Sequence, residues 1–546
     1  MESTLSKSQL LNQIAQIQRM EPGKLCQYFL KGRPGKSGPY FKLQHHENGK
    51  NRTQYIPPEQ VAQVQAAIEG YNTFEHLVSE YARSIIEQTR EERSSGVKKT
   101  PQFLLAQNQE IETLIAGFMA QAPDGIAVQR LELLVRTALR NPANELVGFL
   151  LQQAASQIDE SYQPTPGECW KGSFPLQVSG IFGSFTLWRH YYYNPSSQQG
   201  HHPVDAILGL EGACTPALAR LVCYEGAEGE SFQTAQEHLL ETGAIEVDPR
   251  QIQRIIQAMG PSARSWSQRE AKPEPCDAKV MYVSADATGI PMRKSVLAGR
   301  KGKQPDGTAK TQAANLGCVF TQHTRDAKGH PIRDYNSTTY IGGMDRVEDL
   351  GLTLRREAQR RGSGTAKEIV VLIDGAASLE HLGRINFPGC LQIVDFYHAM
   401  EHLALLTDAL LGKNHPDHKT QYNRWTKLLL KNGVEKIIEE ARQQSEGKAN
   451  AAAVESALGY FVRNVARMQY GTFRQKGYFI GSGVIEAGCK TLVGKRCKQS
   501  GMFWSEPGAS NIIAMRCMIR SRQWDSFWKY RANNLAATVN CLPLAA

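Results

Sequence analysis

The chain has 546 residues, 41% hydrophobic and 21% charged, enough to bury a core in several domains of ordinary size. Its 63 Lys and Arg against 53 Asp and Glu leave a formal charge of +10, a surplus that attracts polyanions through counterion release but does not by itself establish a nucleic-acid partner. The 11 Cys form no C-x-x-C pair, which removes the zinc-finger route and fits a reduced, cytosolic compartment; no signal-peptide pattern opens the sequence, and no apolar run approaches the roughly 20 residues of a membrane span.

Residues 1–95 read as a helix and β-hairpin region with possible DNA contacts. A polar helix is expected around Leu10 to Met20. Tyr40–Leu43 and Thr53–Ile56 then flank a turn containing Asn48-Gly49, a strong hairpin signal. After Pro57-Pro58, the spacing of Val61, Val64, Ile68, Tyr71, Phe74, Val78 and Tyr81 draws one apolar stripe along a long helix. That helix is expected to end in a charged linker, Arg90 to Lys99.

Residues 101–265 form a second region. Its first part reads as helical, with Leu131, Leu134, Val135, Leu139 and Leu146 as core candidates. Phe174 to Tyr193 alternates as a hairpin ending in Trp188, Tyr191, Tyr192 and Tyr193. Ser231 can cap a helix to about Glu241, Thr242-Gly243 can turn it, and Asp248-Pro249 can start a second helix with Arg250 and Arg254 outward. This is a helix-turn-helix outline, and Arg250 and Arg254 are candidate DNA contacts; helical hairpins of this kind are also common without DNA. The proline-containing stretch Ala271 to Asp277 reads as a linker.

From residue 278 the pattern changes to strands. Lys279–Ala285 is an apolar strand expected to deliver Asp286 at its end, Asn315–Thr324 and Tyr335–Ile341 are further strands, Arg346–Arg361 is a helix, and Ile369–Ile373 is a strand leading to Asp374. Leu391–Val394 is another. Between the first two strands lies a Gly-containing basic loop with Arg300, Lys301 and Lys303. Strands in a row followed by strands alternating with helices indicate a mixed α/β sheet, an order that suits a ribonuclease H-like core.

Asp286, Asp374 and Glu486, the last at the start of an expected helix in Gly481-Ser482-Gly483-Val484-Ile485-Glu486, make a split acidic site. Oxygen ligands of this kind suit hard Mg²⁺, and two such ions activate an attacking oxygen and stabilise a leaving one in phosphodiester chemistry. Each Asp alone is also ordinary turn chemistry. Asp395-Phe396-Tyr397-His398 adds a D-x-x-H whose Asp and His can meet on one helical turn, either as a simple cap or as an auxiliary pair beside the acidic site. The long interval from Asp374 to Glu486 implies an insertion, helical over about Ala404 to Gln469. Beyond Glu486, Lys490, Lys495, Arg496 and Lys498, with Arg516, Arg520 and Arg522 further on, are candidate phosphate contacts; a solvated basic face is the alternative.

Asp286-Ala287-Thr288-Gly289, Leu316 to Gln322, Asp374-Gly375-Ala376, Gln392 to Ala399, and Gly481 to Lys490 followed by Lys498 to Met502 resemble the ISKra4-type insertion-sequence transposases, DDE enzymes related to the Mutator-like group. The resemblance runs from about 280 to 530, with weaker similarity before it. It implies a ribonuclease H-like core with Asp286, Asp374 and Glu486 as Mg²⁺ ligands (Mn²⁺ able to substitute), and Asp395 and His398 as an auxiliary motif. It also implies binding of terminal inverted repeats and target DNA as double strands, a homodimer or larger assembly on DNA, and a bacterial, nucleoid-associated location. Ala287 and Ala377-Ser378-Leu379 depart from the family pattern without removing a carboxylate.

The expected organisation is 1–95, 101–265, a core in two parts at 278–403 and 476–530 split by a helical insertion at 404–475, and a tail at 531–546. The expected function is DNA strand cleavage and strand transfer. A hydrolysing nuclease or resolvase, or a catalytically silent DNA-binding regulator, are the alternatives.

Overall fold

The computed structural model describes residues 7–29, 39–47, 50–94, 125–269, 272–302 and 304–539. The chain divides into two compact units, Met1–Gln109 and Glu110–Ala546.

In the first unit, β1 (Lys24–Tyr28), β2 (Tyr40–Glu47) and β3 (Lys50–Ile56) form an antiparallel sheet in that order. The expected hairpin is β2–β3, in register from Phe41↔Ile56 to Glu47↔Lys50; its Asn48-Gly49 turn lies outside the described residues. Leu43, Ile56 and Ile68 make the small core that joins the sheet to the helix Val61–Ser94. The opening helix is Lys7–Gln16, shorter at its C-terminal end than expected. The long helix continues through Arg90 to Ser94, so the front of the expected linker is helical and its remainder lies outside the described residues.

Among the described residues of the second unit the first element is the helix Gly125–Ser161, which packs through Ala155 and Ile158 on Val178 and Leu187 of a sheet formed by β4 (Cys169–Ser179), β5 (Ser184–Asn194) and β6 (Gln199–His201). The expected core of this helix is corrected. Leu134 is 52% exposed, and Val135, Leu139 and Leu146 are exposed as well, because the helix buries the Ala155 and Ile158 face of its last turns against the sheet.

The helix-turn-helix outline corresponds to helices Phe232–Gly243 and Pro249–Gln268, capped by the Ser231 hydroxyl and the Asp248 carboxylate. The left-handed residue between them is Ala244, not Gly243. The second helix is a scaffold element: Ile252, Ile255, Ile256, Met259 and Ala263 are buried, and a Cβ on Gly260 would stand 2.1 Å from the Asn511 side chain of helix Glu506–Arg520. The expected linker is pinned by Glu274 N donating to Arg360 O and Cys276 N to Thr365 Oγ1.

The central sheet contains β7 (Val280–Pro291) and β8 (Thr311–Gln322); after the short ribbon β9 (Thr324–Arg325) and β10 (Pro331–Ile332) come β11 (Thr339–Gly343), β12 (Ile369–Ile373) and β13 (Leu391–Val394). Its order is β11-β8-β7-β12-β13, antiparallel through β11, β8 and β7, then parallel through β12 and β13. Side chains alternate between two cores, as a period of two requires. Met281, Val283, Ala285, Val371 and Ile373 face helices Val347–Arg360 and Ala377–Asn386. Val280, Tyr282, Val370 and Leu372 face the larger core, which also holds the three helices between residues 216 and 268, the insertion and the C-terminal helices.

The insertion is helical as expected, with helices Phe396–Leu411, His418–Leu429, Val434–Ser445 and Ala451–Asn464. The tail region begins inside a helix, Trp524–Ala536. Among the described residues no helix is long and apolar enough to cross a membrane.

Candidate functional site

Parallel pairing sets Ala285 of β7 beside Ile373 of β12, and Ile373 beside Val394 of β13. The next residue on each segment is an aspartate: Asp286, Asp374 and Asp395. Since Ala285 and Ile373 face one core, Asp286 and Asp374 turn to the opposite side of the sheet. Carboxyl ends of neighbouring parallel strands are where open α/β sheets place their ligands. One expectation is corrected, because β7 does not stop at Asp286 but runs to Pro291, so Asp286 is held inside a strand by its pairing with Leu316 of β8.

Asp395 is fully buried and caps helix Phe396–Leu411. Its Oδ1 accepts the His398 backbone N–H (2.7 Å) and pairs with His398 Nδ1 (3.2 Å), while its Oδ2 accepts the backbone N–H of Ser482. The Ser482 hydroxyl donates to Glu486 Oε1 (2.8 Å). Ser482 thus ties the Glu486 helix, Gly483–Gly488, to the end of β13. Ligand atoms of Asp395, His398 and Glu486 lie within 4.8 Å of one another; Asp286 and Asp374 are outside that cluster. A wider π-helical turn, Cys489–Gly494, follows Glu486 directly, a distortion that often accompanies functional sites.

The charges are graded. Burial pushes the Asp395 carboxyl up, but hydrogen bonds from His398 and Ser482 outweigh it and hold the group below the usual range. The hydrogen bond His398 donates to Asp395 raises its pKa to about 9 against the opposing effect of burial, with the Asp395, Asp374 and Glu401 charges adding to the rise. Burial, and then the charge of Asp286, push the Cys489 thiol well up, which places it as a neutral thiol against that carboxylate. Tyr460 of the insertion lies over the Asp374 turn, stacked on His402 with ring centroids 3.5 Å apart.

Donor chemistry sorts these groups. Both Asp395 oxygens already accept hydrogen bonds, and His398 Nδ1 is taken up by one of them, so this pair fits a positioning role. Asp286 Oδ1 accepts Ala287 N (2.7 Å), Asp374 Oδ1 accepts Ala376 N (2.8 Å), and Glu486 Oε1 accepts the Ser482 hydroxyl. Each of the three is therefore oriented through one oxygen and keeps the second for another partner. Carboxylate oxygens are the donors a hard divalent cation prefers, and of the three only Glu486 belongs to the compact cluster above.

Of the basic candidates, Arg250, Arg254, Lys301, Lys490, Lys495 and Lys498 are exposed, and Lys303 lies outside the described residues. Arg300 is exposed but paired with Glu506 (3.2 Å). Lys498 Nζ donates to Thr288 Oγ1 (2.5 Å), two residues beyond Asp286, which puts it beside the acidic site. Arg496 is corrected. It is 1% exposed, donates to Gly226 O (3.1 Å) and Glu230 O (3.4 Å), and lies over the Phe232 and Trp504 rings, so it cannot meet a phosphate. Arg516 is likewise buried, on Leu492 O and Ala227 O. Arg520 and Arg522 are engaged by Glu228 and Asn336. Ser482, Tyr460 and Cys489 were not singled out in the sequence; Ser482 carried a signal, as the hydroxyl residue just ahead of the Glu486 helix.

Residues 6–66 match a family model described as a domain of unknown function (DUF6788). No curated protein matches the sequence. Among solved structures, a Drosophila P element transposase strand transfer complex is similar at 10% identity, with 59% of this chain and 80% of that chain covered and a TM-score of 0.19.

Proposed function

We propose that this chain is a DNA transposase with a ribonuclease H-like core, in which Asp286, Asp374 and Glu486 hold Mg²⁺ while Asp395 and His398 keep the site in register. The observation that carries the reading is the aspartate row after Ala285, Ile373 and Val394, with the Glu486 helix fastened to its third member through Ser482. The strand order β11-β8-β7-β12-β13, three antiparallel strands followed by two parallel ones, supports the same core. The resemblance of the site segments to insertion-sequence transposases supports the substrate, terminal inverted repeats and a target duplex.

Mg²⁺ held by these oxygens would supply the charge that activates an attacking oxygen and stabilises a leaving one. The chain's own contribution is positional. Strand pairing fixes Asp286, the turn before Ala376 fixes Asp374, and the Ser482 hydroxyl aims Glu486. Protonated His398 sets a positive charge beside these anions, where it limits their mutual repulsion and can face a phosphate oxygen. Lys498, beside Thr288, is a candidate for a phosphate contact. Water first frees a 3′-hydroxyl at the element end, and that hydroxyl then attacks target DNA. Bringing two ends together calls for at least a dimer.

The test is a strand-transfer assay with Mg²⁺ and labelled DNA bearing the element's terminal repeats. Joined product supports the transposase. Nicked product alone would assign a hydrolytic nuclease, and retarded but uncut DNA a regulator. Full strand transfer by Asp374→Asn would remove that residue from the ligand set.

A further inference from the structure

The exposed face beside the Asp395 end of the sheet carries a groove that none of the roles above uses. It encloses about 1030 Å³ between the β9–β10 ribbon, the turn after helix His418–Leu429, helix Tyr470–Gln475 and the stretch from Tyr478 to Gly483. Its charged side chains are Arg325, Lys328, Lys431 and Arg474, and no Asp or Glu lines it. Asp326, next to the rim, is paired with His330 (3.0 Å). Among the described residues no carboxylate pairs with Lys328, Lys431 or Arg474, and all three are exposed, whereas Arg325 is anchored on the Lys476 carbonyl. The β9–β10 ribbon and the insertion thus both contribute uncompensated positive charge to one channel.

The floor of the channel comes up beside the Asp395–Ser482 contact, a Cβ on the lining residue Gly481 standing 3.8 Å from Asp395 Oδ2. Phe396 and Tyr397 lie between Asp395 and His398, and Gly481 and Gly483 flank Ser482. Tyr397 is 63% exposed, and its ring approaches Gly481 so closely that a Cβ there would stand 2.9 Å from it. Uncompensated cations along a channel with an exposed aromatic ring at its end are the elements of a single-strand track, where phosphates meet the cations and a base stacks on the ring. In an intact duplex the bases are already stacked and have no free face to offer.

We infer that this groove binds single-stranded DNA and leads an unpaired strand to or from the acidic site. The inference rests on the DNA reading above and names the strand path for that site. Polyanion attraction here is a counterion-release effect, so each lost phosphate contact on a single strand lowers the slope of log affinity against log salt by about 0.7.

The experiment measures fluorescence anisotropy of a labelled single-stranded oligodeoxynucleotide, and of its duplex, with the full chain in EDTA across a salt series. The triple variant Lys328→Gln, Lys431→Gln, Arg474→Gln is expected to lower the single-strand slope by about 2. Tyr397→Ala is expected to weaken single-strand binding about tenfold, with the slope unchanged. Should the triple variant fail to fold, Arg474→Gln alone is read for a decrease of about 0.7. A wild-type slope in the triple variant, or in Arg474→Gln where that replaces it, overturns the inference, as does wild-type single-strand affinity in Tyr397→Ala. So does an equal loss in the control Lys419→Gln, Lys436→Gln, Lys448→Gln, none of which lines the groove, and so does a loss seen for the duplex alone. The same preparations are assayed with Mg²⁺: an unchanged slope with intact strand cleavage removes the groove and leaves the transposase reading, while the expected slope change without any cleavage or joining does the reverse.

Discussion

The backbone N–H of Ser482 donates to Oδ2 of Asp395, a carboxylate with no exposure to solvent. This one contact joins the end of β13 to the helix that carries Glu486, so the two carboxylates differ in kind. Asp395 is buried and structural, whereas Glu486, exposed and oriented by the Ser482 hydroxyl, is the one to which we assign the chemistry. Asp395→Asn presents an amide that can satisfy only part of the His398 and Ser482 donor set. It is expected to cost about 1–3 kcal/mol in urea unfolding as well as activity. Glu486→Gln is expected to abolish strand cleavage with an unfolding midpoint within about 0.5 kcal/mol of wild type, as for exposed substitutions generally. Equal destabilisation of the two variants would contradict the division of roles.

His323 supplies a pH-dependent fastening far along the sheet from this site. Its Nδ1 meets Asp334 Oδ2 (2.6 Å) and its Nε2 meets Asp277 Oδ1 (3.1 Å), so the ring ties the segment before β7 to the loop before β11. The bond to Asp334, then that to Asp277, raise the His323 pKa above its ordinary 6.5. A group raised on folding stabilises fully below its unfolded pKa and loses that contribution as pH rises through the folded value. Asp334, where hydrogen bonds from Thr321 and His323 outweigh burial, and Asp277 are both lowered, so their contribution instead disappears as pH falls below about 4. Thermal stability should therefore decline from pH 6.5 upward in the wild type and more weakly in His323→Asn. Parallel melting-temperature profiles for the two proteins would rule the fastening out.

The elements of the core were legible because their signals are local. Apolar runs gave β12 and β13 at their observed ends, and the start of β7 and the end of β8 nearly so, while β7 runs on to Pro291 and β8 begins at Thr311; the charged, leucine-rich stretch after Ala404 gave a helical insertion. What the sequence lacked was register. Nothing local says that Ala285, Ile373 and Val394 stand side by side, although that pairing is what turns three separate aspartates into a row. Helix faces failed for a related reason. Leu134, Val135 and Leu139 are apolar at helical spacing, but burial depends on which turns meet a sheet, and here those are the turns of Ala155 and Ile158. Charge was the least legible property, since a guanidinium that binds carbonyls and one that binds phosphate are the same letter.

Arg496 gives that ambiguity a measurable form. Its guanidinium satisfies Gly226 O and Glu230 O at the end of helix Pro216–Glu228 and fills the space between Phe232 and Trp504. Arg496→Met removes the side-chain donor to the buried Gly226 carbonyl and is expected to cost about 1–3 kcal/mol, with no change in the salt dependence of DNA binding by the folded fraction. Lys490→Gln and Lys495→Gln, at exposed positions on the same helical run, should do the opposite. Each is expected to reduce the duplex salt slope by about 0.9 with little effect on unfolding. If Arg496→Met lowered the slope while Lys490→Gln and Lys495→Gln did not, burial would have misassigned the contacts.

Gly375 makes the tightest demand at the site. A Cβ built on it would stand 2.4 Å from the Tyr460 ring, and Tyr460 is itself buried and stacked on His402. The ring cannot withdraw without breaking that stack and moving the insertion helix Ala451–Asn464, so Gly375→Ala must shift either the helix or the Asp374 turn. Overpacking of this kind costs about 1–3 kcal/mol. Because Asp374 is oriented by the turn that includes Gly375, through Ala376 N, activity should fall further than stability does. Removing the obstructing ring supplies the check. Tyr460→Ala leaves a cavity and is destabilising by itself, but in the Gly375→Ala background it should restore part of the strand cleavage lost to the alanine. Strictly additive losses in the double variant would show that the insertion does not press on the Asp374 turn.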